Sequence, residues 1–268
     1  MVGKTGGALT AIVTHRALIL AAGRGSRMGA LTDTAPKCLT PLAGMPLLEW
    51  TLAALKGNGI CELLTIGGWR HELLPPVVGP VRVNGRWAET NMVRSLLCAS
   101  DWLAQAPTLV VYGDGAYGRR AIASALAPPA HDVVVPIDRH WHSLWARRFA
   151  DPLADAESLT CEGGRLTSIG QRASRIDQIE GQFMGLLRIT PAGWARVSAW
   201  LEAYEAVQGS AAVDQLDMTG LLQGLISHGL HVSYTDVHGG WVEIDSEADR
   251  VAVEASLNQP GFLHDFRR

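Results

Sequence analysis

Short, uninterrupted apolar runs alternate along this chain with segments whose apolar side chains recur at helical spacing, and no other feature restricts its architecture as strongly. The runs are Arg16 to Ala22, Leu63 to Gly67, Thr108 to Tyr112 and Asp132 to Ile137, with a shorter one at Val81 to Asn84. A strand apolar on both faces has to be covered on both, as a parallel strand is when it lies between two layers of helices. Between the runs, helices are predicted at Leu47 to Lys56, ended by Gly57 and Gly59, at Met92 to about Gln105, capped by Thr90 or Asn91, and at Arg119 to Leu126. The expected fold class is α/β, a mixed, mostly parallel sheet flanked by helices.

Past Pro136 the pattern changes. Leu159 to Glu162 and Arg165 to Ile169, joined by Gly163-Gly164, predict a β-hairpin with a two-residue turn. It is expected to form a small lid in an insertion spanning about residues 138–182. Phe183 to Ile189 returns as one strand, and Thr190-Pro191 opens a helix to about Gln208. Leu216 to His228 forms another, closed by Gly229. Strands at His231 to Asp236 and Trp241 to Ile244 follow, and Ser246 caps a final helix from Glu247. Trp194, Val197, Trp200, Leu201 and Tyr204 share one helical face and predict a core stripe. No repeat or linker divides the 268 residues, so a single domain is expected, with an N-terminal extension over residues 1–15.

Several classes of function are excluded by composition. The net charge is −3 and basic residues are dispersed, which is not the electrostatic footprint of a nucleic-acid binder. No stretch approaches the roughly 18 apolar residues of a membrane span, and the N-terminus is a poor secretory signal. Cys38, Cys61, Cys98 and Cys161 form no C-x-x-C pair, so neither a zinc site nor a disulfide framework is indicated. A cytoplasmic protein acting on small molecules is expected, with homodimerisation left open.

The first apolar run leads into Gly23-Arg24-Gly25-Ser26-Arg27-Met28-Gly29, followed by Pro36-Lys37-Cys38-Leu39. Glycines let backbone N–H groups approach phosphate oxygens, and Arg24, Arg27 and Lys37 add positive charge, so the loop suits a triphosphate. The chain has only three lysines, Lys4, Lys37 and Lys56, and only Lys37 lies near this loop. The run Thr108 to Tyr112 ends in Gly113-Asp114-Gly115, and Trp241 to Ile244 runs into Asp245-Ser246. Taken singly, each aspartate reads as a turn residue or cap neighbour. Taken with the loop, two carboxylates at strand ends suit a shared Mg2+.

These motifs resemble the nucleotidyltransferase superfamily, whose loop reads approximately L-A-A-G-x-G-x-R with a following P-K-x-L. The match covers Leu20 to Arg27 and Pro36 to Leu39. Further segments are similar to the phosphocholine and phosphonate cytidylyltransferase-like branch: Glu89 to Leu96, Tyr112-Gly113-Asp114, Leu144-Trp145 with Phe149 to Leu153, Gly181 to Gly185, and Trp241 to Asp245. The resemblance implies a Rossmann-like nucleotidyltransferase fold and Mg2+-dependent transfer of CMP from CTP. The implied acceptor is a small phosphonate or phosphate monoester of the 2-aminoethylphosphonate, hydroxymethylphosphonate or phosphocholine type, and pyrophosphate is released. Carried over by position, Lys37 and Arg24 would be catalytic, and Gly23, Gly25 and Arg27 would join them on the CTP phosphates. Leu20, Ala21, Ala22, Gly67, Asn91 and Ser95 would face cytosine and ribose, and Asp114 and Asp245 would hold the metal. Two departures fall on the acceptor side: Gly115-Ala116 replaces the usual aromatic or apolar residue, and Gln171-Arg172 stands where a lysine is common.

The acceptor side is less defined by pattern. Trp141, Trp145 and Trp241 suit a cationic acceptor, with Asp155 and Glu157 opposing an amine, although Trp145 reads equally as an anchor of the small lobe. Arg94, Arg147, Arg148 and Arg172 are candidates to clamp a phosphonate, with Arg172 preferred because it follows the hairpin. Glu180, Gln182, Asp217 and Glu243 complete the expected acceptor pocket. His140-Trp141-His142 is expected on a loop and lacks a third ligand. Gly3-Lys4-Thr5 mimics the end of a P-loop, but no strand or upstream glycine precedes it. A sugar-1-phosphate nucleotidylyltransferase and a non-catalytic nucleotide-binding subunit are the alternatives.

Overall fold

The computed structural model of the chain describes residues 14–128 and 131–268; most of the N-terminal extension, with Gly3-Lys4-Thr5, lies outside them. The strands are β1 (Arg16–Ala21), β2 (Pro41–Leu42), β3 (Met45–Pro46), β4 (Glu62–Gly67), β5 (Val81–Val83), β6 (Thr108–Tyr112), β7 (Gly115–Tyr117), β8 (Val133–Asp138), β9 (Glu157–Glu162), β10 (Arg165–Arg172), β11 (Gln182–Phe183), β12 (Leu186–Ile189), β13 (Ser233–Val237) and β14 (Trp241–Glu243). The α-helices are α1 (Leu47–Gly57), α2 (Met92–Leu97), α3 (Ser100–Leu103), α4 (Arg119–Ala125), α5 (Trp141–Arg148), α6 (Pro191–Gln208), α7 (Ser210–Gln215), α8 (Met218–Ser227) and α9 (Glu247–Ser256). Among the described residues, ten strands form one sheet in the order β5-β4-β1-β6-β12-β8-β13-β10-β9, with β11 paired to β8. β1 runs parallel to β4 and β6, and β13 parallel to β8, while β12 is antiparallel to both its neighbours. This is the expected mixed α/β sheet, and the hairpin β9–β10 continues it at one edge through β13.

Strand pleat explains why the central runs are apolar throughout. In β1, Ala17, Ile19 and Ala21 face one core, with α1, α4, α5 and the C-terminal residues Phe262 and Phe266. Leu18 and Leu20 face the other, with α2, α6 and α8. Trp194, Val197, Trp200 and Leu201 are all buried there, and Tyr204 stacks on Trp200 at 4.9 Å.

Four local departures have local causes. The helix expected to run from Met92 to Gln105 breaks into α2 and α3, where the Ser100 hydroxyl donates to the Leu97 carbonyl. The strand expected at 183–189 is split at Gly185, whose φ is 70°, and the Tyr117 hydroxyl donates to the Met184 carbonyl at 2.7 Å beside the break. His140-Trp141-His142 is not on a loop: Trp141 opens α5, whose buried face is Trp141, Leu144 and Trp145. The short strand β7, which no apolar run announced, pairs antiparallel with β14.

Candidate active site

The pairing of β7 with β14 assembles a cluster of charged side chains. Glu243 lies opposite Gly115, and the Ile244 amide donates to the Asp114 carbonyl, so the residues just beyond these strands meet across the ladder. Carboxylate oxygens of Asp114, Glu243 and Asp245 fall within 4.8 Å of one another. Two residues apart on extended backbone, Glu243 and Asp245 share a face, a spacing visible in the sequence. That spacing brings Glu243, expected on the acceptor, into the carboxylate cluster.

Lys37 lies among these groups. Its ammonium Nζ donates to Asp114 Oδ2 at 2.9 Å and to Asp245 Oδ1 at 2.5 Å. The three side chains are 10%, 19% and 12% exposed. Burial alone would lower the Lys37 pKa, but Asp114 and Asp245 outweigh it and hold the ammonium firmly charged. The glycine-rich loop makes room for the lysine. Gly25 has φ 71°, and a Cβ there would lie 2.6–2.9 Å from the Lys37 stem, so both conformation and space require glycine.

Beneath the carboxylates, Arg148 is fully buried and gives one nitrogen to each of three acids: Glu243 at 3.0 Å, Asp245 at 3.0 Å and Asp249 at 3.1 Å. Asp249 also accepts from the Asp245 and Ser246 amides while Ser246 caps α9, which fixes the backbone that carries Asp245. Burial and the Asp245 carboxylate raise the pKa of Glu243, and Arg148 opposes the rise. Asp245 moves the other way; burial would raise it, but Lys37 lowers it below the usual carboxylate range.

Two cavities share Asp114. One, of about 180 Å³, is lined by residues 20–23 of the loop strand and by Lys37, Trp87, Asn91, Ser95 and Asp114. The other, of about 50 Å³, lies among Tyr112, Tyr117, Phe183, Trp241, Asp114 and Glu243. A larger cleft of about 700 Å³, between α4 and the C-terminal residues, contains none of them.

The remaining candidates are dispersed. Gly67 does not line the loop cavity, because its Cα faces His71 and Val81. Arg24 pairs with Asp33 at 2.8 Å and lies over the Trp69 ring, and Arg27 reaches Asp245 at 3.3 Å from an exposed position. Trp141 and Trp145 cannot cage a ligand: they are 3% and 4% exposed, pack on one another, and Trp145 donates to Asp155. Trp241 is likewise buried, stacked on Tyr117 and donating to Asp138, with only an edge on the small cavity. Tyr112 and Phe183, in edge contact at 5.7 Å, supply the other aromatic surface there.

The arginine candidates fare similarly. Arg94 is held by Asp214 and Glu205, Arg147 by Ser256 and Gln259, and Arg148 by the three acids. None of these three lines either cavity at the site. Arg172 is exposed at the end of β10, opposite Glu157. Glu180 accepts from Arg139 through its carbonyl, Gln182 is buried and tied to the Glu157 backbone, and Asp217 caps α8 by accepting from Gly220.

Comparison with known proteins identifies the family and the fold. The model of the MobA-like NTP transferase domain family matches residues 17–176, more than half of the chain. The CTP:phosphoglutamine cytidylyltransferase of Campylobacter jejuni is 29% identical over 245 residues, 87% of this chain and 96% of that protein. The 2-aminoethylphosphonate cytidylyltransferase of Lancefieldella rimae is 33% identical over 105 residues, 37% of this chain and 42% of its own. Among solved structures, the inositol-1-phosphate CTP transferase from T. maritima superposes with a TM-score of 0.69 at 21% identity, covering 91% of this chain and 96% of that one.

Proposed function

The chain belongs to the MobA-like NTP transferase family of the nucleotidyltransferase superfamily, and from that premise we propose that it transfers CMP from CTP to a small phosphate or phosphonate monoester, releasing pyrophosphate. One observation carries the reading: Lys37, Asp114, Glu243 and Asp245 converge where the loop cavity and the aromatic cavity meet. A donor in the first cavity and an acceptor in the second would meet at the one centre the two cavities share. The relatives from Campylobacter jejuni and Lancefieldella rimae are named as cytidylyltransferases of phosphoglutamine and of 2-aminoethylphosphonate, which supports the same chemistry.

Asp114, Glu243 and Asp245 fit a hard divalent cation. Their donors are all oxygen, and their spread is close to the ~4 Å between opposite oxygens around Mg2+. Bound there, Mg2+ would neutralise charge on the triphosphate and acceptor. The chain's own residues do the rest. Gly23 and Gly25 present backbone to the phosphates, and Lys37 supplies positive charge where the α-phosphate and leaving pyrophosphate meet. Arg148 holds Glu243 and Asp245 in place from below. An acceptor oxygen forms the new bond to the α-phosphorus as the bond to the pyrophosphate oxygen breaks, and pyrophosphate leaves with the electron pair. No strong base is needed, because a phosphate-type acceptor with a second pKa near 6 is already largely dianionic at neutral pH. The small aromatic cavity limits the acceptor to a compact group.

Pyrophosphate release with each of four nucleoside triphosphates against 2-aminoethylphosphonate, hydroxymethylphosphonate, phosphocholine and a hexose 1-phosphate tests the proposal. CTP with one of the first three is the expected outcome. UTP or dTTP with the hexose phosphate would instead make it a sugar nucleotidylyltransferase, and nucleotide binding without turnover would make it a binding subunit.

A further inference from the structure

We propose that Trp87 is the aromatic wall against which the nucleobase packs; the inference rests on the reading of the loop cavity as the nucleotide site. That cavity is mixed in character. Lys37, Gly23 and Asp114 in its lining suit phosphates, Leu20, Met92 and Trp87 supply apolar surface, and Thr90, Asn91 and Ser95 add polar groups. An occupant that carries both phosphates and a flat heteroaromatic ring matches such a lining. Trp87 is half-buried, so part of its indole is free to meet a ligand.

Its position is fixed from several directions. Gly68 is the first constraint: a Cβ there would fall 2.4 Å from the Ala22 carbonyl and 2.7 Å from Trp87 Cβ, so only glycine lets Trp87 lie against the end of the loop strand. Trp69 is the second, with its ring centroid 5.5 Å from that of Trp87. Trp69 is itself pinned, its amide donating to the Ala22 carbonyl and its indole N–H to the Thr32 carbonyl, both at 3.0 Å. The Arg24 guanidinium lies 5.1 Å over the Trp69 ring. Arg24, Trp69 and Trp87 therefore lie in series from the glycine-rich loop to the cavity wall, the two indoles tilted 55° to one another. Such preorganisation suits a recognition surface, since an aromatic held in place loses little freedom when a base packs on it. A solvent-facing tryptophan would have no need of the glycine or of the pinned ring behind it.

Equilibrium binding of each of the four nucleotides, read by intrinsic fluorescence and calorimetry without acceptor, tests this in the full chain. CTP should quench wild-type fluorescence. Trp87→Leu should weaken CTP binding tenfold or more, and Trp87→Phe, which keeps a flat face, less than threefold. Circular dichroism and the thermal midpoint check that both variants fold. Trp87→Leu binding CTP within twofold of wild type overturns the wall and leaves the cytidylyltransferase reading intact. The reverse separation is available too: CTP binding that depends on Trp87 without pyrophosphate release removes the proposed reaction and keeps the wall. If another nucleotide binds in place of CTP, the same comparison made with that nucleotide decides the wall. A wild type that binds none of the four overturns both.

Discussion

Lys37 and Arg148 both pair with Asp245, yet their substitution should show in different measurements. The Lys37 ammonium occupies the space between Asp114 and Asp245 that a divalent cation would take. Lys37→Met should lower turnover by about 10²–10³, the usual cost of one preorganised charge contact. The same change should tighten Mn2+ binding in the absence of nucleotide, measured by electron paramagnetic resonance of the free ion, because the competing cation is gone. Mn2+ affinity that is unchanged or weaker would show that lysine and metal do not compete. Arg148 is different in kind. Its guanidinium is fully buried among three acids, so Arg148→Met leaves unpaired charge in the interior and should cost about 3–5 kcal/mol in urea unfolding. Arg172→Ala, at an exposed strand end, should stay within about 0.5 kcal/mol.

At the scale of elements, the site depends on a two-stranded ladder only three residues long. Gly115 sits in β7 where a Cβ would lie 2.7 Å from the Tyr117 ring, and Tyr117 is anchored to Met184 and stacked on Trp241. Gly115→Ala should therefore push Tyr117 against Trp241 and shift Asp114 relative to Glu243. The expected cost is about 1–3 kcal/mol of stability, with a larger fractional loss of turnover than of thermal midpoint. Equal losses would mean the ladder is only structural. The same ladder marks where sequence reasoning stops. The long strands and the α6 stripe are legible because burial on a defined face imposes a period of 2 or 3.6. β7, reading Gly-Ala-Tyr, is too short for a period, and its partner lies more than a hundred residues away. α5 is not legible because polar residues surround its three buried ones, and with it the role of Arg148 is hidden, although the anchoring reading of Trp145 agrees with its burial. The loop, Lys37 and the two aspartates were visible as local motifs, whereas Trp87 was not, since its place depends on Gly68 and Trp69 meeting it in space.

Across the whole molecule, integrity of the site and closure of the core converge on one buried acid. Asp138, at the end of β8, is fully buried and accepts from the Trp241 indole at 2.9 Å, from His264 Nε2 at 2.7 Å, and from the His140 and Gly239 amides. These bonds join the central sheet, the start of α5, β14 and the C-terminal residues in which Phe262 and Phe266 complete the core. Trp241 is two residues from Glu243, so loosening this junction should be felt at the carboxylates. Burial alone would raise the Asp138 pKa; the hydrogen bonds, with that from His264 first, outweigh burial and depress it. For an acid depressed in the folded state, the stabilisation is complete above its unfolded pKa, about 3.9 for aspartate. It is lost as pH falls through the lower folded value. The difference in thermal midpoint between wild type and Asp138→Asn should thus be constant from about pH 7 to pH 5 and shrink below about pH 4, where the carboxyl takes up its proton in the unfolded chain while the folded one is still ionised. A difference that persists undiminished to pH 3 would show that Asp138 is not depressed by its partners. A difference that narrows between pH 7 and pH 5 would move the titration to another group.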